Sequence, residues 1–471
     1  MSHNAAKYLV LSSSRNFSDL KLKPELLGNL ADLGYAEMTL VQAESLPLLL
    51  SGVDVLARAK TGSGKTAAFG LGILNRLDAS TFSVQALVLC PTRELADQVA
   101  REIRRLARSI PNIKVMSLCG GMPLRDQTAS LKRSPHIIVG TPGRVHKHLR
   151  SGNIELGSLH TFVLDEADRM LDMGFMDEID AILTYVPAKR QTLLFSATYP
   201  EAMADISARV QSEPRTIDVT EDEQPAQIVQ TWCAVTRENR NVELVRTLRA
   251  WGGALNLVFC NTKADCAEVA RHLQSERITA IALHGDLDQV QRNQVLVRFA
   301  NRSASVLIAT DVAARGLDVK DIDVVFNYEL PQQTEVYVHR IGRTGRAGKT
   351  GIAVSLVEER EMWRLEEIEK LLPDALIQQR GIPDAKRDDE TLVPLMTTIQ
   401  ISGGRKNKLR PGDLLGALTA QDGIPGNAVG KIDLFDTVSY VAVQNKHVSR
   451  ALRQLSDMPI KGRKYRARVR G

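Results

Sequence analysis

At 471 residues the chain is too long for one ordinary hydrophobic core, so two or three domains are expected. A 44% hydrophobic share with 25% charged residues fits a globular protein, and no stretch approaches the roughly 20 apolar residues that cross a bilayer. The net charge of +6 is uneven: residues 400–471 carry 14 Lys and Arg against 5 acidic residues, while the first 399 carry 47 against 50. A basic segment on a near-neutral body points to a polyanionic partner, nucleic acid first, with a solubilising basic face as the plainer alternative.

The chain opens MSHNAAKYLVLSSSRN, whose apolar run is too short for the roughly 7–15 residues of a secretory signal. Residues 1–15 read as a tail and a cytoplasmic location is expected. From residue 16 to 213, the runs QALVLC, HIIVG, TFVLDEAD and TLLFSAT read as buried parallel strands between amphipathic segments such as LADQVAREIRRLARSI. From 214 to 375, NLVFCNT, SVLIATD, DVVFNY and GIAVSLV repeat the pattern. Continuous aliphatic strands alternating with helices predict two tandem α/β domains, each with a parallel sheet covered on both faces. Residues 376–396 read as a linker. Residues 397–471 read as β-α-β-β-α-β, a small α+β domain similar to an RNA recognition motif. The five cysteines include no C-x-x-C pair and lie largely in apolar runs, so buried thiols are expected.

Within the first domain, ARAKTGSGKT (57–66) is a phosphate-binding loop in which Ala59 stands where the first Gly is usual. A strand, VDVLA, precedes it and a helix, TAAFGLGIL, follows. Backbone N–H groups of Thr61, Gly62, Ser63 and Gly64 are expected around phosphate oxygens, with Lys65 on the β- and γ-phosphates and Thr66 on Mg²⁺. FVLDEAD ends a strand in adjacent carboxylates: Asp165 suits Mg²⁺ through water, and Glu166 suits the attacking water. HRIGRTGRAGKTG (339–351) offers Arg340, Arg343 and Arg346 at a three-residue spacing as positive charge for the transferring phosphate.

These motifs, with PTREL (91–95), Gly120-Gly121, TPGR (141–144), SAT (196–198), VFCNT (258–262), Gln289 with Arg292, and ATDVAARGLD (309–318), stand in the order of the DEAD-box RNA-dependent ATPases, which residues 17–375 resemble. The resemblance implies two RecA-like domains using ATP and Mg²⁺, with Lys65, Asp165, Glu166, Arg343 and Arg346 in catalysis. It places Phe17 and Gln42 at adenine, although MTLVQ (38–42) lacks the family's usual prolines, and Asp318 at the ribose. Ser196, Thr198 and His339 would couple the nucleotide to RNA. Arg93, Gly121, Thr141, Arg144, Thr262, Gln289, Arg292, Thr310 and Arg315 would meet the RNA backbone, which predicts little base reading by the core.

A DEAD-box core carrying a small basic domain is also similar to a bacterial branch whose C-terminal domain recognises a 23S ribosomal RNA hairpin. That resemblance implies a monomeric helicase acting beside the hairpin in large-subunit precursor particles, without a membrane partner. The consensus aromatics of an RNA recognition motif are poorly met, with Tyr440 kept and Gln400 in the corresponding place of the first strand. Binding is therefore expected at the basic loop GGRKNKLR (403–410), with Arg405, Lys406 and Lys408, and at the last strand. There, Tyr465, Ala467 and Val469 alternate with Lys464, Arg466, Arg468 and Arg470, the pattern of a half-buried strand with a basic outer row. The same motifs also fit an ATP-gated RNA clamp with little unwinding, or a DNA-acting P-loop helicase.

Overall fold

The computed structural model describes residues 15–60, 62–197, 201–219, 228–314, 322–345, 350–372, 375–382, 392–420 and 422–470. The chain divides into two compact units, Met1–Pro225 and Ala226–Gly471.

In the first unit seven strands form one parallel sheet: β1 (Val55–Arg58), β2 (Ala86–Leu89), β3 (Val115–Leu118), β4 (Ile137–Gly140), β5 (Thr161–Asp165), β6 (Gln191–Ser196) and β7 (Arg215–Asp218), in the order β3-β4-β2-β5-β6-β1-β7. Every residue of β2, β4, β5 and β6 is buried. The pleat explains this: Ala86 and Val88 enter one core and Leu87 and Leu89 the other, so both faces need apolar side chains.

The second unit repeats the design with β8 (Ile228–Ala234), β9 (Asn256–Phe259), β10 (Ala280–Leu283), β11 (Val306–Ala309), β12 (Val324–Asn327), β13 (Gly351–Val357) and β14 (Ile377–Gln379), ordered β10-β11-β9-β12-β13-β8-β14. Val306 and Ile308 face one core, Leu307 and Ala309 the other. β14 lies in the expected linker 376–396, yet it pairs in parallel with β8, Ile377 opposite Gln230. Leu392 also belongs to the core of this domain. The core domain therefore reaches well past residue 375.

The small domain follows the expected order, with β15 (Met396–Ile401), the helix Pro411–Thr419, β16 (Val429–Leu434), β17 (Ser439–Gln444), the helix Val448–Asp457 and β18 (Ala467–Arg470), in an antiparallel sheet ordered β16-β17-β15-β18. Ile399, Ile401, Val441 and Val443 pack with Leu414, Leu418, Ala451 and Leu455 of the helices. The final strand starts at Ala467 rather than Lys464. Tyr465 is drawn under the sheet, where a Cβ on Gly403 would lie 2.4 Å from its ring. The turn before it closes with Ile460 bridged to Arg463, and the strand begins only after it. All five cysteines are free and buried, as expected.

Candidate nucleotide and RNA site

Both core sheets carry their motif residues at the carboxyl ends of the strands, where open α/β sheets bind ligands. In the first unit the ends of β1, β5 and β6 form one half of the edge, and those of β3, β4 and β2 the other.

The phosphate loop leaves β1 and enters the helix Lys65–Arg76 through Gly64, whose φ of 101° only glycine adopts at ease. A Cβ on Gly64 would lie 2.5 Å from Gln42 Nε2. Lys65 is 6% exposed and donates to the Ala59 carbonyl at 2.7 Å. The Ser63 hydroxyl is buried without a hydrogen-bond partner. An orphaned hydroxyl, a buried ammonium and a helix N-terminus form a cradle short of an anion. Gln42 is buried: its Oε1 accepts from Thr39 N–H at 3.0 Å, and its Nε2 donates to the Gly64 carbonyl at 3.2 Å. Phe17 packs edge-on to Tyr35 and is also buried. In this arrangement both residues expected at adenine are engaged within the protein, and Gln42 acts as a strut behind the phosphate loop.

At the end of β5, Asp165 and Glu166 are 3% and 5% exposed. Burial pushes the Asp165 carboxyl up to about 7 against the pull of the Lys65 ammonium, and the Glu166 carboxylate adds to the rise. Such a pair of desolvated oxygen donors fits a hard divalent cation. Among the described residues no cluster of three acidic, His or Cys side chains would hold a metal alone. Glu166 sits in the left-handed region at φ 53°, and Arg169 Nη1 donates to its Oε2 at 2.5 Å. A bulky residue there costs on the order of 1–3 kcal/mol, a strain that concentrates at functional sites. The Arg169 partner was missed from sequence, although its i,i+3 spacing from Glu166 was the available signal. Asp168 Oδ2 accepts from Ala197 N–H at 3.2 Å and so ties the acidic motif to the SAT motif. Ser196 is buried at the end of β6.

In the second unit the helix Thr334–Ile341 brings His339 and Arg340 into its last turn, and Arg343 follows, 6% exposed. Arg340 departs from the expectation that all three arginines supply charge to the phosphate. It is 1% exposed and paired with Asp311, Nε to Oδ1 at 2.7 Å and Nη2 to Oδ2 at 2.8 Å. It also donates to Asn261 Oδ1 at 2.8 Å and the Glu329 carbonyl at 2.7 Å. A guanidinium so committed holds the strand ends together. Thr61, Thr198, Arg315, Asp318 and Arg346 lie outside the described residues.

The other half of each edge gathers the residues expected at RNA. After β2, Arg93 opens the helix Arg93–Leu106, and its Nη2 would be 2.8 Å from a Cβ on Gly120. Gly121, at φ 80°, follows β3. Thr141 follows β4 and caps the helix Pro142–Arg150. Arg144 Nη1 donates to the Met122 carbonyl at 3.0 Å and Gln127 Oε1 at 2.8 Å, bracing the Gly120-Gly121 loop. In the second unit Thr262 and Thr310 follow the neighbouring strands β9 and β11. Gln289 opens the helix Gln289–Ala300, and Arg292 Nη2 donates to the Ala313 carbonyl at 2.6 Å.

On the small domain, Arg405, Lys406 and Lys408 are exposed in the turn after β15. Lys461 Nζ donates to the Lys408 carbonyl at 3.0 Å, and Arg466 N–H to Ser402 Oγ at 3.0 Å. Two loops thus place these cations with exposed Arg463, Lys464 and Arg466 at one end of the domain. Arg468 instead lies on the sheet opposite Gln400.

The sequence matches three families: DEAD/DEAH box helicase over residues 39–206, helicase conserved C-terminal domain over 241–348, and DbpA RNA binding domain over 398–469. It is 51% identical to the ATP-dependent RNA helicase DbpA of Escherichia coli over 454 residues, 96% of this chain and 99% of that protein. It is 43% identical to the DEAD-box ATP-dependent RNA helicase CshA of Geobacillus kaustophilus, over 75% of this chain and 76% of the relative. Among solved structures, S. cerevisiae Dbp5 bound to RNA and ADP BeF3 aligns with a TM-score of 0.72 and 31% identity, covering 79% of this chain and 97% of that one. The DEAD-box helicase Mss116 bound to ssRNA and UDP-BeF aligns at 0.71 and 27% identity, over 79% and 80% of the two chains.

Proposed function

Since this chain belongs to the DEAD-box ATP-dependent RNA helicases and carries a DbpA RNA-binding domain, we propose that its target is large-subunit ribosomal RNA. The small domain would grip a 23S ribosomal RNA hairpin, and the core would open a neighbouring duplex during large-subunit assembly. The observation that carries this reading is the two-loop basic end of the small domain, while the core residues expected at RNA are mostly Thr, Gly and Arg. Such groups suit phosphate and ribose and read no sequence, so target choice falls to the appended domain. The setting would be cytoplasmic and the acting species a monomer.

In the proposed chemistry Lys65 leaves the Ala59 carbonyl for the β- and γ-phosphates, and the loop N–H groups take the remaining oxygens. Gln42 and Phe17 border the base end, where adenine competes for the Gln42 amide. Thr66, and Asp165 through water, would hold Mg²⁺, which when bound would neutralise phosphate charge. Glu166 accepts the proton of the attacking water. Arg343 and Arg346 would supply positive charge to the transferring group, and Asp318 would meet the ribose. Ser196, Thr198 and His339 would couple the nucleotide to RNA, and Arg93, Gly121, Thr141, Arg144, Thr262, Gln289, Arg292, Thr310 and Arg315 would be the RNA contacts.

The raised Asp165 carboxyl has a pH consequence. Its ordinary value is 3.8 and its folded value about 7, so the folded protein takes up a proton between the two. Stability from this group therefore falls as pH rises through that window and is level above it. Magnesium needs the ionised form, so Mg·ATP affinity should rise by up to about tenfold per pH unit below 7 and flatten above. Titration with a fluorescent nucleotide from pH 6 to 8.5 measures it, and Asp165→Asn should remove the dependence.

Replacing Arg405, Lys406 and Lys408 together by Ala should weaken hairpin binding and reduce the salt slope of log K by about 2 to 3, near 0.7–0.9 per lost phosphate contact. Filter binding of the full chain at several salt concentrations reads this out. An unchanged slope removes the loop from the interface.

A further inference from the structure

The two basic loops at the end of the small domain are held in different ways. The first, residues 402–410, leaves β15 and is anchored on the turn between β16 and β17. Arg405 N–H donates to the Phe435 carbonyl at 2.9 Å, and Lys406 N–H to the Asp436 carbonyl at 2.8 Å. A Cβ on Gly404 would lie 2.2 Å from the Phe435 carbonyl oxygen, so only glycine lets the two backbones approach this far. The second loop, residues 460–466, meets the first at its base. There Ser402 N–H donates to the Arg466 carbonyl at 2.9 Å, and Arg466 N–H to Ser402 Oγ at 3.0 Å.

The tip of the second loop is a two-residue turn. Ile460 N–H donates to the Arg463 carbonyl at 2.8 Å, and Arg463 N–H to the Ile460 carbonyl at 3.2 Å. Between them Lys461 at φ 52° and Gly462 at φ 76° are both left-handed. That is the pattern of a type I′ turn, whose first central position favours Asn, Asp or Gly. Glycine fills the second position, but a long side chain sits at the first. Lysine suits that backbone poorly. The reason for a lysine here lies in its side chain.

That side chain crosses to the first loop. Lys461 Nζ donates to the Lys408 carbonyl at 3.0 Å and pairs with Asp413 Oδ2 at 2.8 Å. Asp413 stands in the first turn of the helix Pro411–Thr419, and the same Oδ2 accepts from Arg410 N–H at 2.7 Å. The Lys461 ammonium beside it holds the Asp413 carboxyl below its ordinary value. Lys408 is itself left-handed, at φ 59°, and its N–H donates to the Arg405 carbonyl at 2.8 Å. Each loop thus carries one lysine in left-handed backbone, and one ammonium ties the two loops together. The 402–466 bonds clamp the base and the 408–461 bond clamps the tip. The charge of Lys461 is already matched by Asp413, so it adds little to the field that draws RNA.

We propose that Lys461 is a positioning residue for RNA: it holds the two basic loops at the spacing in which Arg405, Lys406, Lys408, Arg463, Lys464 and Arg466 engage one RNA backbone, and does not itself meet phosphate. The inference rests on the reading that this basic end binds RNA. Loops ordered before binding lose less freedom when RNA arrives, so the strap raises affinity without adding a contact.

Asp413→Asn gives the sharpest test. It removes a negative charge from the RNA-binding end, so charge alone predicts tighter binding, whereas the strap predicts weaker binding. Asn keeps an oxygen for Arg410 N–H. Lys461→Asn removes the strap while giving the turn a residue it favours. In the full chain each variant should bind a 23S ribosomal RNA hairpin fragment about 2- to 10-fold more weakly, the effect of one mobile side chain left to be ordered. The slope of log K against log salt should stay within about 0.3 of the wild type. The double variant should bind no more weakly than Lys461→Asn, because both changes break one contact. Lys461→Arg keeps donors for the carbonyl and the carboxylate and should recover affinity to within about twofold. A slope lower by about 0.7–0.9 in Lys461→Asn would make Lys461 a phosphate contact and overturn the proposal. Unchanged or tighter binding by Asp413→Asn would overturn it as well. If replacing Arg405, Lys406 and Lys408 together by Ala leaves hairpin binding unchanged, the underlying reading falls and the strap with it. If that triple variant binds weakly while the Asp413 and Lys461 variants bind as the wild type does, the strap alone falls.

Discussion

Glu166→Gln should cut RNA-stimulated ATP turnover by about 10²- to 10⁴-fold, the range a positioned general base contributes, with nucleotide affinity nearly unchanged. The reason is local. Glu166 follows Asp165 at the end of β5, held in left-handed backbone and oriented by Arg169. Gln keeps the size and one acceptor oxygen for Arg169 but cannot take a proton from water. Asp165 and Lys65, the groups proposed to meet Mg²⁺ and the phosphates, are untouched. Single-turnover hydrolysis with a parallel binding titration separates the two effects. A variant that keeps more than a tenth of wild-type turnover would assign the base to another group.

The second large effect concerns stability. Arg340→Ala removes a buried cation from a pair with Asp311 and strips donors from Asn261 and the Glu329 carbonyl. Breaking a buried pair by deleting one partner costs about 3–5 kcal/mol. For a domain of this size each kcal/mol moves the midpoint by about 2–4 °C, so a fall of roughly 10 °C in the second domain's transition is expected. Arg340→Lys should recover only part, because a point charge cannot pair with both carboxylate oxygens. Calorimetry of the full chain reads this directly, and a shift below about 2 °C would show that Arg340 does not brace the fold.

The strands were legible because both faces of a parallel sheet are buried, which writes runs such as ALVL and VLIA into the chain. The nucleotide loop and the acidic motif were legible because phosphate chemistry fixes residue types at fixed spacing. What escaped notice depends on distant partners. β14 is three residues, two of them Gln, with no apolar signature of its own, and it exists because β8 offers an open edge. Arg340 shares a three-residue spacing with Arg343, and only the fold shows it spent on Asp311. Gln42 carries an amide suited to adenine, while the structure uses both ends of it behind the phosphate loop. Thr398 looked like an ordinary strand residue until Ser303, 95 positions earlier, was found against it.

The small domain is proposed to select the RNA on which this helicase acts. The direct measurement is steady-state ATPase of the full chain with a 23S ribosomal RNA fragment carrying the hairpin, beside an unrelated structured RNA of equal length at the same salt concentration. Selection predicts half-maximal stimulation at a concentration at least tenfold lower for the hairpin RNA, a preference of about 1.4 kcal/mol or more. Equal stimulation by both RNAs would contradict it.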